Sequence, residues 1–179
     1  MSYNGGKKME QPKKKTMKET LTIKTSHVFP PDANHLGTLF GGKLMASIDD
    51  VASIAAIKLA RNPVVTASTD SVDFIKPIKI GDSVTLEAIV TWTGFSSMEV
   101  FVKVVAEHLL TGEKSVAALS FLTFVSLGAD GKPTAIPEVY PETEEEKWLH
   151  QTAKRRAAHR KSRKQESKDL VQFFSNHFN

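Results

Sequence analysis

The 179-residue chain contains no cysteine. Disulfides, thiolate metal ligands and a cysteine nucleophile are therefore excluded. Its six histidines show none of the short spacings by which histidines share a metal. Long hydrophobic runs are also missing. The best stretch, Ile48 to Ala60, is broken by Asp49, Asp50, Ser53 and Lys58, and a spanning helix needs about 20 consecutive apolar residues. No apolar segment follows the lysines of the N-terminus, so a secretory signal is not expected and a cytoplasmic location is. Negative charge is in slight deficit, 20 Asp and Glu against 24 Lys and Arg, for a net +4. The excess sits between Lys7 and Lys18 and between Lys154 and Lys168. Such blocks read as solvated tails or faces. No nucleic-acid motif accompanies them, so no specific nucleic-acid partner is expected.

What remains is a chain with 40% hydrophobic residues, enough for one core at a length suited to one domain with tails. Residues 1–17 read as a disordered basic tail, 18–137 as the folded domain, and 138–179 as a charged helical extension. Glu19 to Phe29 alternates as a strand. Pro30-Pro31-Asp32-Ala33-Asn34 has the chemistry of a loop. Gly41-Gly42 opens a helix that must stop before Pro63. Val64–Ile75, Ser83–Thr93, Met98–Ala106 and Ser115–Leu127 read as four further strands. Val84, Leu86, Ala88, Val90 and Trp92 share one face, and the last strand, apolar on both faces, is expected to be central. One helix followed by a four-strand meander indicates an α+β architecture, its sheet wrapped around the apolar helix.

That helix carries two adjacent aspartates. Stepping about 100° per residue from Met45 places Asp50 at about 140°, on a polar face with Lys43, Lys58 and Arg61. Asp49 falls at about 40°, at the edge of the apolar arc of Ala52, Ala56, Leu59 and Ile48. A carboxylate there either holds a neighbouring segment or does chemistry, and the arc alone leaves both open. Small residues (Ala52, Ser53, Ala56, Ala60) leave room beside it. The glycine-opened helix start offers bare N–H groups that polarise a carbonyl oxygen. A carboxylate with an oxyanion donor points to acyl transfer.

The run Asn34-His35-Leu36-Gly37-Thr38-Leu39-Phe40-Gly41-Gly42-Lys43-Leu44-Met45, followed by Asp49-Asp50, resembles the hotdog-fold acyl-CoA thioesterases of the cytosolic acyl-CoA hydrolase type. A second signature, Asp73-Phe74-Ile75-Lys76-Pro77-Ile78 with Gly81-Asp82, agrees, and the resemblance spans about Leu21 to Pro137. It implies a five- or six-stranded antiparallel sheet around the central helix. It also implies homodimers with a continuous sheet, assembled as trimers of dimers, with active sites at the dimer interface. By the same resemblance Asp49 is the general base or nucleophile in hydrolysis of a fatty acyl-CoA. Asn34, supplied by the facing subunit, orients water or thioester, and the Gly42 N–H polarises the carbonyl. No metal or cofactor is implied, coenzyme A being part of the substrate.

Candidate contacts to coenzyme A, a polyanion, are Gly41, Phe74, Lys76, Ser96, Ser97, Arg155 and Arg156. Each has an ordinary alternative. Asn34 suits a turn that bonds its own backbone, Lys76 suits a guarded strand edge, and Arg155 and Arg156 suit a helix face paired with Glu142, Glu144, Glu145 and Glu146. Phe40, Met45, Phe74 and Trp92 are candidates for setting pocket depth. Two other functions fit less well: a hydroxyacyl dehydratase using His35 or His27 with a carboxylate, and a non-catalytic acyl-CoA-binding module. The basic ends also allow weak nucleic-acid or anionic-membrane association.

Overall fold

The computed structural model describes residues 14–176. Residues 1–13 of the expected basic tail lie outside them. Residues 14–17 are not tail: Lys15–Thr16 (β1) pairs in parallel with Val139–Tyr140 (β7), and Met17 is fully buried in the core. A turn over Met17–Thr20, capped reciprocally by Thr16 and Glu19, leads into β2, Thr22–His27. The expected first strand therefore starts late, at Thr22 rather than Glu19. The central helix α1 covers Gly41–Ala60, followed by β3 (Val64–Phe74), β4 (Asp82–Thr93), β5 (Ser97–His108), β6 (Glu113–Ser126) and a second helix, α2 (Glu144–Ser175).

The five long strands form one antiparallel sheet in the order β2-β4-β5-β6-β3. The expected four-strand meander is thus only three strands long, because β3 crosses to the far edge and pairs with β6. The linker from Ile75 to Gly81 explains this: it contains Pro77 and is too long for a two-residue hairpin, and Leu39 and Ile78 tie it to the loop before α1 at 2.8 Å. β5 takes the central place, and β6 lies between it and the edge strand β3.

Alternation builds the core. Val84, Leu86, Ala88 and Val90 of β4 and Met98, Val100, Val102 and Val104 of β5 are all buried against Ile48, Ala52, Ala55 and Leu59 of α1. A register shift between Val90 and Trp92 ends the alternation, so Thr91 is buried and Trp92 does not continue the inner row. Each aliphatic side chain buried this way contributes about 1.5–3 kcal/mol. The alanines of α1 let the helix approach the sheet closely. α1 stops at Arg61, which takes the left-handed conformation (φ 53°) shortly before Pro63. Lys15 Nζ bonds the carbonyls of Lys58 (3.0 Å) and Leu59 (3.1 Å) and caps that end. Burial, and then the nearby Arg61, lower the Lys15 pKa.

α2 begins with a capping box between Thr143 and Glu146 and three glutamates in its first turn, where the helix dipole favours negative charge. The expected pairing of its arginines with those glutamates does not occur. Arg156 and Arg160 instead bond Glu99 of β5, which is fully buried, and Arg160 and Arg163 bond Asp70 of β3. Helical side chains pair at a spacing of three or four residues, and these arginines are further than that from the glutamates.

Candidate active site

The start of α1 is held from two sides. Lys43 Nζ bonds Asp32 Oδ1 (2.8 Å) and the Pro31 carbonyl (2.6 Å), and the Phe40 N–H bonds the Asp32 carbonyl (2.9 Å). The Lys43 ammonium first, and the Phe29 N–H second, hold the Asp32 carboxyl below its ordinary pKa of 3.8. The first N–H groups of any helix lack an intrahelical acceptor. Here those of Gly41 and Gly42 have no acceptor among the described residues. A side chain at Gly42 would meet the Phe40 ring at 2.6 Å, and one at Gly41 would meet Phe74 at 3.6 Å.

A cavity of about 350 Å³ opens beside this helix start, lined by Asn34, Gly41, Phe74 and Lys76 together with Leu44 and Ile78. Four of the residues named from the sequence therefore come together. Asn34 Oδ1 accepts from the N–H groups of Leu36 (2.9 Å) and Thr38 (3.3 Å), and Nδ2 donates to Thr38 Oγ1 (3.0 Å). It is a turn former, yet a carboxamide nitrogen carries two protons, which leaves one N–H to direct elsewhere.

Asp49 does not line that cavity. It follows Gly42 by two turns of α1, about 10 Å of helical rise. Its carboxylate is half-buried on the flank of α1 facing β3, where Thr66 Oγ1 donates to Oδ1 at 2.9 Å. The second oxygen remains available. Thr66 escaped the sequence reading because only the register of β3 along α1 sets it at the level of Asp49. Asp50 behaves as a surface carboxylate, but its partner is Lys24 of β2 at 2.7 Å. The polar-face residues expected beside it are otherwise engaged: Lys43 with Asp32, and Lys58 with the Leu21 carbonyl.

The remaining candidates separate from the cavity. Ser97 lies at the start of β5 and lines a groove under α2 with Arg160, Lys161, Arg163 and Lys164. Ser96 contributes its carbonyl to the Ser126 N–H. Arg156 stacks over Phe121 and donates to Glu99, Thr152 and the Leu149 carbonyl, while Arg155 is exposed. The structure therefore employs Arg156 in holding α2 down. His35 is exposed in its loop, His27 stacks on Phe29 at 4.4 Å, and no histidine pairs with a carboxylate within one copy among the described residues.

Residues 36–113 match the family described as the thioesterase superfamily. An uncharacterised acyl-CoA thioester hydrolase of Bacillus subtilis is 60% identical over 91% of this chain and 95% of its own length. The cytosolic acyl coenzyme A thioester hydrolase of Rattus norvegicus is 36% identical over 77% of this chain, which spans 37% of that longer protein. Among solved structures, the acyl-CoA hydrolase of Staphylococcus aureus, in complex with butyryl coenzyme A and coenzyme A, superimposes with a TM-score of 0.88 at 49% identity, covering 90% of this chain and 99% of the other. Structures also exist of its variants with an aspartate, a threonine or an asparagine changed to alanine. In that protein the asparagine precedes the aspartate, and the aspartate the threonine, by the same intervals that separate Asn34 from Asp49 and Asp49 from Thr66 here. A hexameric acyl-CoA thioesterase has a TM-score of 0.83 at 50% identity over 84% of this chain and 97% of its own.

Proposed function

The chain belongs to the thioesterase superfamily with a hotdog fold, and from that premise we propose that it hydrolyses fatty acyl-CoA thioesters at a site that two copies of the chain complete together. One copy contributes the cavity with Asn34, Phe74, Lys76 and the Gly41–Gly42 helix start. The facing copy contributes Asp49 and Thr66.

The observation that carries this reading is the half-buried Asp49 carboxylate, set by Thr66 at 2.9 Å on the flank next to the sheet's edge strand. Asn34, Asp49 and Thr66 also have the residue types and the separations of the three positions replaced by alanine in the Staphylococcus aureus protein. The spacing along α1 supports two contributing copies. A reacting carbonyl has to lie about 3 Å from both base-activated water and oxyanion donor. Gly42 and Asp49 of one chain, about 10 Å apart, cannot both reach it. β3 is an edge strand, and Val65 and Phe74 on it are exposed. Pairing two such edges would carry each Asp49 toward the other copy's cavity. The hexameric neighbour supports further assembly into a trimer of dimers.

As general base, the free oxygen of Asp49 takes a proton from water while the water oxygen bonds to the thioester carbon. The developing oxyanion is met by the Gly42 N–H at the positive end of α1. The C–S bond then breaks, and the CoA thiolate leaves with the proton held by Asp49. As nucleophile, an Asp49 oxygen would bond to the thioester carbon while the C–S bond breaks and the CoA thiolate leaves; water would then cleave the resulting anhydride, releasing the acid and restoring the Asp49 carboxylate. Either route uses coenzyme A as part of the substrate and needs no metal or other cofactor. No helix among the described residues is long and apolar enough to cross a membrane, and a cytoplasmic location remains part of this proposal.

Thiol release from a series of acyl-CoA chain lengths tests the activity directly. Turnover is expected from the purified chain and loss of turnover from Asp49→Asn. Undiminished hydrolysis by that variant would remove Asp49 from the mechanism. Conversion of a hydroxyacyl-CoA to its enoyl product without thiol release would replace hydrolysis with dehydration.

A further inference from the structure

α2 outruns the sheet it crosses. His150 bonds the Thr91 carbonyl of β4 (2.9 Å), Arg156 bonds Glu99 of β5 (2.8 Å), and Arg160 and Arg163 bond Asp70 of β3. β3 is the last strand of the sheet. The helix nevertheless continues from Lys164 to Ser175. At a helical rise of about 1.5 Å per residue, that adds roughly 18 Å. Such a length matches between three and four strand spacings of about 4.8 Å.

The character of the overhang changes where its own sheet ends. Leu170 lies seven positions after Arg163, Phe174 eleven after Arg163, and Val171 eleven after Arg160. Those intervals return to the same helical face. The face that binds β3 through arginines therefore continues as an apolar stripe. Leu170, Val171 and Phe174 are 57%, 65% and 56% exposed, and within one copy no described strand lies beneath them.

We infer that this overhang is an interaction surface for the outer sheet face of a second copy of the chain. The inference rests on the β3-paired dimer proposed above. In that dimer the partner's sheet continues where this one stops, beneath the stripe, and the partner's overhang does the same in return, as a two-fold interface requires. Outward along β3 lie two exposed apolar residues, Val65 and Ala67, and Ala67 lines the groove that runs beside α2. An anionic bilayer is the other occupant that a basic, apolar helix end would attract. The stripe, however, shares its face with arginines fastened to the sheet, so it looks back along the molecule rather than outward to a flat surface.

The test compares the full chain with a triple variant, Leu170→Ser, Val171→Ser and Phe174→Ser, by sedimentation velocity across a dilution series. These side chains are exposed, and unchanged far-UV circular dichroism confirms that each preparation is folded. A dimer dissociation constant raised at least about tenfold, with kcat unchanged at protein concentrations that restore the dimer, supports the inference. A conservative Leu170→Met, Phe174→Leu variant should keep the wild-type constant. Hydrogen exchange of residues 64–74 separates the pairing of the β3 edges from the overhang contact. Protection of those amides in the wild-type dimer with an unchanged dissociation constant in the triple variant overturns the overhang contact alone. Absence of that protection overturns the paired-edge dimer and the contact with it. Flotation of the wild type with phosphatidylserine vesicles, lost in the triple variant while dimerisation stays unchanged, overturns it in favour of a bilayer.

Discussion

Two adjacent aspartates differ in role because one residue of helix rotates a side chain by about 100°. Asp50 reaches Lys24, and both side chains are well exposed, so the pair contributes at most about 1 kcal/mol. Asp49 meets a single hydroxyl, Thr66, which occupies one carboxylate oxygen and orients the other. Asp49→Asn keeps the shape and that hydrogen bond but removes the carboxylate proposed to act as base or nucleophile. Turnover should fall by roughly 10²–10⁴-fold, while the thermal midpoint and binding of free coenzyme A stay close to wild type. In the proposed mechanism Thr66 acts through Asp49, as a positioning residue. Thr66→Val should lower kcat by about tenfold with a much smaller change in KM, and Thr66→Ser, which restores the donor, should recover most of the loss. A Thr66→Ser enzyme as slow as Thr66→Val would assign Thr66 to packing instead.

At the scale of elements, the attachment of α2 depends on charges buried under it. Glu99 is fully buried and is served by Thr91, Arg156 and Arg160. Removing one partner leaves a buried charge poorly compensated, which costs about 3–5 kcal/mol. Arg156→Met should show that loss in urea unfolding, whereas Arg155→Met, on the exposed side, should not. The loop before α1 responds to pH instead. The Asp32 carboxyl lies below its ordinary pKa of 3.8 chiefly because Lys43 bonds it. Its contribution is therefore present above pH 3.8 and disappears as pH falls through the lower folded value. The stability difference between wild type and Asp32→Asn should be constant above about pH 5 and shrink below that, as acid titrations of chemical unfolding would read. These elements also mark what the chain made legible. The buried rows of β4 and β5, the limits of α1 and the polar turn of Asp50 follow from periodicity and punctuation, which are local. The place of β3, the partner of Asp50 and the engagement of Arg156 with Glu99 depend on contacts between segments far apart in the chain. No local pattern encodes them. The candidacy of Asn34, Gly42 and Asp49 is legible in their motif, whereas that of Thr66 requires a strand register.

For the whole molecule, the decisive question is whether one copy of the chain can work alone. The cavity with Asn34 and the Asp49 carboxylate belong to opposite ends of a stretch of helix about 10 Å long, and an edge strand lies open beside the carboxylate. If each site draws Asn34 from one copy and Asp49 from the other, two dead variants should rescue each other. A dimer of Asn34→Ala with Asp49→Asn has one site in which both substitutions meet and one site in which both residues are intact. Mixed at equal amounts and allowed to exchange, half of the dimers are of this kind. About one quarter of the wild-type sites should then be active, although either variant alone is nearly inert. Thiol release measured before and after mixing gives that figure without any structural probe. A site built within one copy gives no recovery at any mixing ratio, because each chain still carries its own defect. The same arithmetic predicts the effect of dilution: specific activity should fall as the dimer dissociates, and excess Asp49→Asn chain should restore all of the lost sites, one for each wild-type chain, by offering its intact cavity to the Asp49 of a wild-type copy.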